Sequence, residues 1–270
     1  MRLVRFGVVC ASILVCALML AACGGDDDPA GASGTPTPTA GEQEDEHEVH
    51  WGYEGETGAG NWAELSDAFA VCEAGVEQSP IDIESAGAEG EDIADPVLDW
   101  QTGDIEIINN GHTIQANVPE GSTSEFDGQT YNLLQFHWHR PSEHTVDGDP
   151  FAMELHFVHA DASGSLAVLG VLIEEGDGSP LYDTLWEQQP AEGESSTLED
   201  IDFSQLLPGD LATYVYPGSL TTPPCSEGVN WNVLRRPVSI STEQAEGFLY
   251  DGNARPVQPV NDRSVVADES

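Results

Sequence analysis

From Trp51 onward the chain alternates apolar and polar positions with a repeat of two, the pattern of half-buried β-strands rather than of helices. Such runs lie at Ile105 to Ile108, Thr113 to Val118, Asn132 to His139, Phe151 to His159, Leu166 to Ile173, Ala212 to Tyr216 and Val229 to Leu234, with Gly, Pro and Asp between them. Helical periodicity is confined to Asn61 to Phe69, Leu181 to Glu187 and Thr242 to Leu249. No internal repeat or linker follows Trp51, and a stretch of about 220 residues suits one domain. The pattern predicts a mainly β, single-domain fold: a large central, twisted, mostly antiparallel sheet with short peripheral helices.

The first 48 residues do not follow this pattern. Arg2 and Arg5 precede an apolar run from Gly7 to Ala22, too short for a comfortable membrane span, which ends in Leu20-Ala21-Ala22-Cys23. Residues 1–22 therefore read as a signal peptide ending in a motif that resembles a bacterial lipobox, with Cys23 as the lipidated residue; ordinary cleavage and secretion is the alternative. Residues 23–48 carry Gly, Asp, Pro, Thr, Ala and Glu with little to bury, and are expected to be a disordered acidic tether. His47 and His50 at its end are given no role. The folded domain is placed at residues 49–268, outside the cytoplasm at the cell surface or in the periplasm, with the lipid anchor as its only membrane contact.

Charge narrows the range of partners. The formal net charge is −42; cleavage of the leader removes only Arg2 and Arg5, leaving 5 basic residues against 49 acidic ones, or −44. Such a surface repels phosphates, which excludes nucleic acid as a partner and leaves small molecules. Self-repulsion of this size is screened in about 1 M salt, where the Debye length falls to about 3 Å, so the composition points to a saline medium.

Of the five cysteines, Cys10 and Cys16 leave with the leader and Cys23 is the lipidation candidate. Cys72 and Cys225 remain in an exported domain, where an oxidising compartment favours a disulfide between them.

The chemistry centres on Q-F-H-W-H-R-P-S-E-H, residues 135–144. On a strand, His137 and His139 project from one face beside Gln135, while Phe136 and Trp138 point the other way. In M-E-L-H-F-V-H, Glu154, His156 and Val158 share one face and His159 takes the other. If the two strands pair, His137, His139 and His156 converge. Three neutral imidazoles with a fourth position open is the arrangement of a catalytic Zn2+, since a structural site prefers a closed, cysteine-rich shell. Gln135 and Glu154 each stand two residues before a histidine on its own face, where they can hold the far ring nitrogen.

In family order, Trp51-Gly52-Tyr53, Q-S-P-I-D-I, N-N-G-H, Q-F-H-W-H, S-E-H-T-V, M-E-L-H-F-V-H, L-A-V-L-G, Y-P-G-S-L-T-T-P-P and R-P-V-Q-P span essentially the whole domain. The chain resembles an α-class carbonic anhydrase of the bacterial, exported type. That resemblance implies zinc-dependent reversible hydration of CO2 to bicarbonate and a proton by attack of zinc-bound hydroxide, with ester hydrolysis as a side activity. It assigns Thr221 as the hydroxyl that orients the nucleophile by donating to Glu143, Thr222 as an aid in positioning substrate or water, and His112 as the proton shuttle. It maps the carbonyl that orients the middle ligand onto Asn253, although Ala254 stands where the family has an aromatic, and maps water-ordering positions onto Tyr53 and Asn110. CO2 makes no strong hydrogen bonds, so Val158, Val168, Leu220, Val229 and Trp231 are expected to form its apolar wall. His144 and His159 read as structural. The alternative function is that of a non-catalytic zinc-binding extracytoplasmic lipoprotein. Oligomeric state has no signature in the sequence.

Overall fold

The structure, a computed structural model, describes residues 49–91 and 93–268. The proposed signal peptide, Cys23 and the acidic tether lie outside the described residues.

The strands are β1 (Asp82–Ile83), β2 (Glu89–Glu91), β3 (Val97–Asp99), β4 (Gly103–Asn109), β5 (Ile114–Asn117), β6 (Thr123–Phe126), β7 (Gln129–His139), β8 (Thr145–Val146), β9 (Asp149–Pro150), β10 (Met153–Ala160) and β11 (Leu166–Glu175). They continue with β12 (Ser195–Ile201), β13 (Thr213–Ser219), β14 (Glu227–Leu234), β15 (Val238–Ile240) and β16 (Val266–Asp268). The main sheet runs in the order β12-β4-β5-β7-β10-β11-β14-β13-β16-β2, and β1, β8 and β9 form a small second sheet. Most neighbours in the main sheet are antiparallel, as expected; β11 with β14, β11 with β15, and β16 with β2 are parallel.

Every expected run forms a strand. The strands that the alternation does not reveal, such as β2, β3, β12 and β16, are short or mostly polar, so they expose no two-residue apolar repeat. Helices are α1 (Trp62–Leu65), α2 (Val71–Ala74), α3 (Pro180–Glu187) and α4 (Thr242–Glu246). The expected helix over Asn61 to Phe69 is split because Ser66 is extended and its hydroxyl caps the next turn at Ala68. The last helix stops at Glu246 instead of Leu249. It begins with a Ser241/Gln244 capping box and ends as Gly247 turns Phe248 into the core.

The sheet separates two apolar layers. One holds Phe136, Trp138, Leu155, Phe157, Leu169 and Val171, covered by Tyr182 and Leu185 of α3. The other holds Ile81, Ile83, Val168, Leu172, Trp231 and Val233. A β-bulge decides which residues of β7 face which layer. β7 pairs with β10 as His156↔His137 and Val158↔Gln135, then slips to His159↔Leu133, leaving Leu134 without a partner on β10. Tyr131 and Leu133 before the bulge and Phe136 and Trp138 after it all join the first layer, so the parity changes at Leu134. Without that change the odd-numbered His137 and His139 would follow Tyr131 and Leu133 into the apolar layer.

Candidate metal centre

His137 and His156 are direct cross-strand partners, and His139 is two residues further along the same face of β7. The ring centroids lie 5.1 Å (His137 to His139), 5.3 Å (His137 to His156) and 4.7 Å (His139 to His156) apart, with one ligand nitrogen from each inside a 4.8 Å cluster. On the next strand Gly170 stands opposite His156, where an added Cβ would meet Glu154 Oε1 at 3.2 Å, so a side chain there would crowd the carboxylate behind the ligand.

Each imidazole is oriented from behind. His137 Nδ1 donates to Gln135 Oε1 at 2.9 Å, His139 Nδ1 to the Asn253 carbonyl at 2.7 Å, and His156 Nε2 to Glu154 Oε1 at 2.8 Å. These acceptors fix the protons on the outer nitrogens, leaving His137 Nε2, His139 Nε2 and His156 Nδ1 as lone-pair donors that face one another. Burial, aided by the neighbouring imidazoles, holds His137 well below its usual pKa; burial brings His139 down to about 4 and lowers His156 against the pull of Glu154. The rings are therefore neutral at neutral pH. His139 Nε2 is a buried nitrogen with no hydrogen-bond partner. Three neutral imidazole donors, one of them unpaired inside the protein, fit a divalent, borderline-soft ion such as zinc.

Glu143 lies over this cluster, with Oε2 3.5 Å from His139 Nε2 and 3.9 Å from His156 Nδ1. Its Oε1 accepts from the Arg255 N–H at 2.8 Å. Burial raises the carboxyl to about 7, with His156, the Arg255 N–H and the Thr221 hydroxyl pulling it back. Thr221 is buried and close enough to act on Glu143, although Oε2 has no partner within ordinary hydrogen-bond geometry. Thr222 follows at the wall of the cleft, and its carbonyl accepts from the Cys225 N–H at 2.8 Å. Cys225 is bonded to Cys72, so the expected disulfide is present and ties this turn to α2.

The cleft above the ligands is lined by Tyr53, Asn110, His112, His137, His139 and Thr222. His112 stacks on Trp51 with ring centroids 3.7 Å apart and planes within 4°. Asn110 Oδ1 accepts from the N–H groups of His112 and Thr113 at 3.0 Å each, which shapes the turn that presents His112. Burial, reinforced by the charge of Glu143, pushes the Tyr53 phenol well above its ordinary range, so it remains a proton donor. Val158, Val168, Leu220, Val229 and Trp231 belong to one apolar cluster on the ligand side, with Val158↔Val168 and Val168↔Trp231 as neighbours across strands. His159 lies on the opposite face, bonded to Ser124.

Sequence reasoning set His144 aside as structural without linking it to the ligands. Its Nδ1 lies 2.7 Å from Glu154 Oε1 and its Nε2 2.6 Å from the Tyr216 hydroxyl, which meets Ser79 Oγ at 2.8 Å. Arg255 was also missed. Its guanidinium donates to Gln78 Oε1 and to the Ser79 and Cys72 carbonyls while its own N–H holds Glu143. The only available signals were its place in R-P-V-Q-P and the rarity of basic residues in the chain.

A family model described as eukaryotic-type carbonic anhydrase matches residues 56–269. A carbonic anhydrase of Pectobacterium carotovorum is 44% identical over 226 residues, covering 81% of this chain and 91% of that protein. One from a Nostoc species is 43% identical over 228 residues, covering 81% of this chain and 86% of that protein. Among solved structures, the α-carbonic anhydrase of Thermovibrio ammonificans, in complex with the inhibitor sulfanilamide, aligns with a TM-score of 0.79 at 43% identity, covering 81% of this chain and 99% of that one.

Proposed function

The chain belongs to the eukaryotic-type, or α-class, carbonic anhydrases, an enzyme family that interconverts CO2 and water with bicarbonate and a proton, and from that premise we propose how its residues divide the work. His137, His139 and His156 would hold Zn2+, with the nitrogens left free by the outer hydrogen bonds, Nε2, Nε2 and Nδ1, as the donors. The observation that carries this assignment is the set of three neutral rings, His139 and His156 buried and His137 at the floor of the cleft, whose outer nitrogens are occupied by Gln135, Asn253 and Glu154. When bound, zinc supplies Lewis acidity that brings the pKa of a water to about 7, an effect for which carbonic anhydrase is itself the standard example.

The protein side of the reaction follows from the hydrogen bonds. Arg255 N–H fixes one oxygen of Glu143, and the other faces the ligand cluster near Thr221. Glu143 takes the Thr221 hydroxyl proton as a hydrogen bond, so the Thr221 oxygen accepts from the attacking group and aims its lone pair. Thr222 helps to position substrate or water, and Tyr53 and Asn110 order water along the cleft. Val158, Val168, Leu220, Val229 and Trp231 give CO2 a surface that offers no competing hydrogen bonds. His112, on the same cleft, takes the product proton outward. Glu143, Thr221 and His112 beside the three imidazoles disfavour a role in zinc binding alone. Ester hydrolysis is a side activity of the same centre.

Stopped-flow CO2 hydration with and without a zinc chelator tests this reading. Hydration that the chelator abolishes and Zn2+ restores is expected; hydration indifferent to metal would overturn it.

Export and anchoring through Cys23, and adaptation to salt, rest on the leader and on the net charge of −42. Cys23→Ala should release the protein from the membrane fraction. Dialysis to low salt should diminish the circular dichroism of the fold, and a spectrum unaffected by salt would count against the saline habitat.

A further inference from the structure

The Trp138 carbonyl lies between two of the proposed metal ligands, His137 and His139, and accepts two side-chain hydrogen bonds from outside its strand. Thr113 Oγ1 donates to it at 2.5 Å and Asn253 Nδ2 at 3.0 Å. Asn253 Nδ2 also donates to the carbonyl of His112 at 3.1 Å. The same side chain accepts from the Arg140 N–H at 2.8 Å through Oδ1, while its backbone carbonyl holds His139. Asn253 is buried, so these contacts are not shared with bulk water. Two residues on, the Arg255 N–H holds Glu143.

We infer that the Asn253 side chain is a positioning residue for proton release: it ties the turn carrying His112 to the ligand-bearing strand β7 and so sets the height of the shuttle over the metal centre. The inference deepens the proposed function and rests on His112 being the proton exit. Proton transfer through water depends steeply on the placement of its end points. An amide is suited to the task because its NH2 group reaches two carbonyls while its oxygen takes a backbone N–H, three bonds that neither Asp nor Leu reproduces. Thr113 supplies a second tether from the residue next to His112 to the same carbonyl, so the shuttle turn is held at two points. His112 then meets Trp51 at stacking distance as the outer limit of its ring.

The test compares Asn253→Ala with wild type, His112→Ala and the double variant, all loaded with zinc. In weak buffer kcat of Asn253→Ala should fall by about ten-fold, part of the gain that a placed proton-transfer group provides. Its kcat/KM, which reports hydration before proton release, should fall several-fold less, and added imidazole should restore kcat. The double variant should be no slower than His112→Ala, because both changes act on one step. Zinc retention against a chelator and nitrogen-15 NMR of the His112 ring in metal-free protein provide readouts apart from turnover; a shifted ring signal with the fold intact is expected.

If Asn253→Ala does not fold, Thr113→Val, which cuts only the other tether, carries the same expectations. Equal falls in kcat and kcat/KM without imidazole rescue, or losses that add to those of His112→Ala, would overturn the inference. His112→Ala indifferent to weak buffer would overturn its premise as well, whereas a slow His112→Ala beside an unaffected Asn253→Ala removes only the coupling.

Discussion

Glu154 and His144 face each other at 2.7 Å with both side chains shut off from solvent, and the same carboxylate oxygen takes the ring N–H of His156 at 2.8 Å. The other oxygen accepts the backbone N–H groups of Glu143 and His144 at 2.9 and 2.8 Å. Burial alone would raise this carboxyl, but His144 and His156 outweigh it and hold the pKa well below the usual range. Glu154 is thus an anion that steadies His156, one of the proposed metal ligands, and is itself steadied by four donors. Glu154→Gln should accelerate zinc loss by about 10- to 100-fold, the usual scale for an acceptor behind a ligating histidine. His144→Ala should act in the same direction with a smaller effect. Transfer of zinc to a chromogenic chelator measures both, and unchanged loss rates would remove the pair from the metal centre.

Thr221 and Glu143 are expected to behave as one unit. Thr221→Ala and Glu143→Gln should each lower kcat/KM for CO2 by about 100-fold, the scale for losing one aligned hydrogen bond at a reacting centre. Thr221→Ser should retain most of the activity. The double variant should be little worse than either single change, because each already breaks the same alignment. Stopped-flow rates for the four proteins decide the matter.

The Cys72–Cys225 bond closes a loop with a sequence separation of 153 next to the Thr221-Thr222 turn. Chain entropy sets an upper bound of about 5 kcal/mol on its contribution. Reductant should therefore lower the denaturant midpoint, and hydration should be lost before the sheet unfolds, since the turn is released first. Activity and far-ultraviolet circular dichroism followed along one reductant series separate the two events.

His159 supplies a pH dependence that is independent of the metal. Burial holds its pKa at about 4, below the ordinary value of about 6.5. The unfolded chain binds the proton more readily, so stability rises with pH through this window and is lost as pH falls from about 6.5 to 4, by up to about 3 kcal/mol. In metal-free protein, the stability difference between pH 4 and pH 7 should be smaller for His159→Gln than for wild type. Equal differences would show that the imidazole titrates normally.

Two parts of the site were legible in the sequence: the part built from local alternation, and the part carried by motifs such as N-N-G-H, S-E-H-T-V and S-L-T-T-P-P, which pointed to His112, Glu143, Thr221 and Thr222. His137, His139 and His156, with Gln135 and Glu154 behind two of them, follow from strand geometry once the strands pair, and β7 and β10 pair in that register. Local periodicity does not reveal what packing brings in from distant segments. The Asn253 amide, the Arg255 N–H and the His144 to Tyr216 contact join residues 72 to 141 positions apart, and no repeat in the chain marks them. The stacking of Trp51 on His112 is hidden for the same reason. In the fold, the long core strands declared themselves, whereas short polar ones such as β2 form only because a neighbour offers an edge.

The bulge at Leu134 places regularity and activity at odds. A protein engineer seeking stability would see an apolar residue with no partner on β10, 46% exposed, interrupting the longest described strand, and would be tempted to smooth the pairing around it. With Leu134 kept and the pairing made regular, the strand would be one uninterrupted alternation, with a choice between burying Tyr131 and Leu133 or Phe136 and Trp138. The first choice directs the imidazoles into the apolar layer, and the second turns two core side chains out to water. The bulge therefore absorbs the one residue by which the chain is out of step, keeping Tyr131, Leu133, Phe136 and Trp138 on the core face and His137 and His139 on the other.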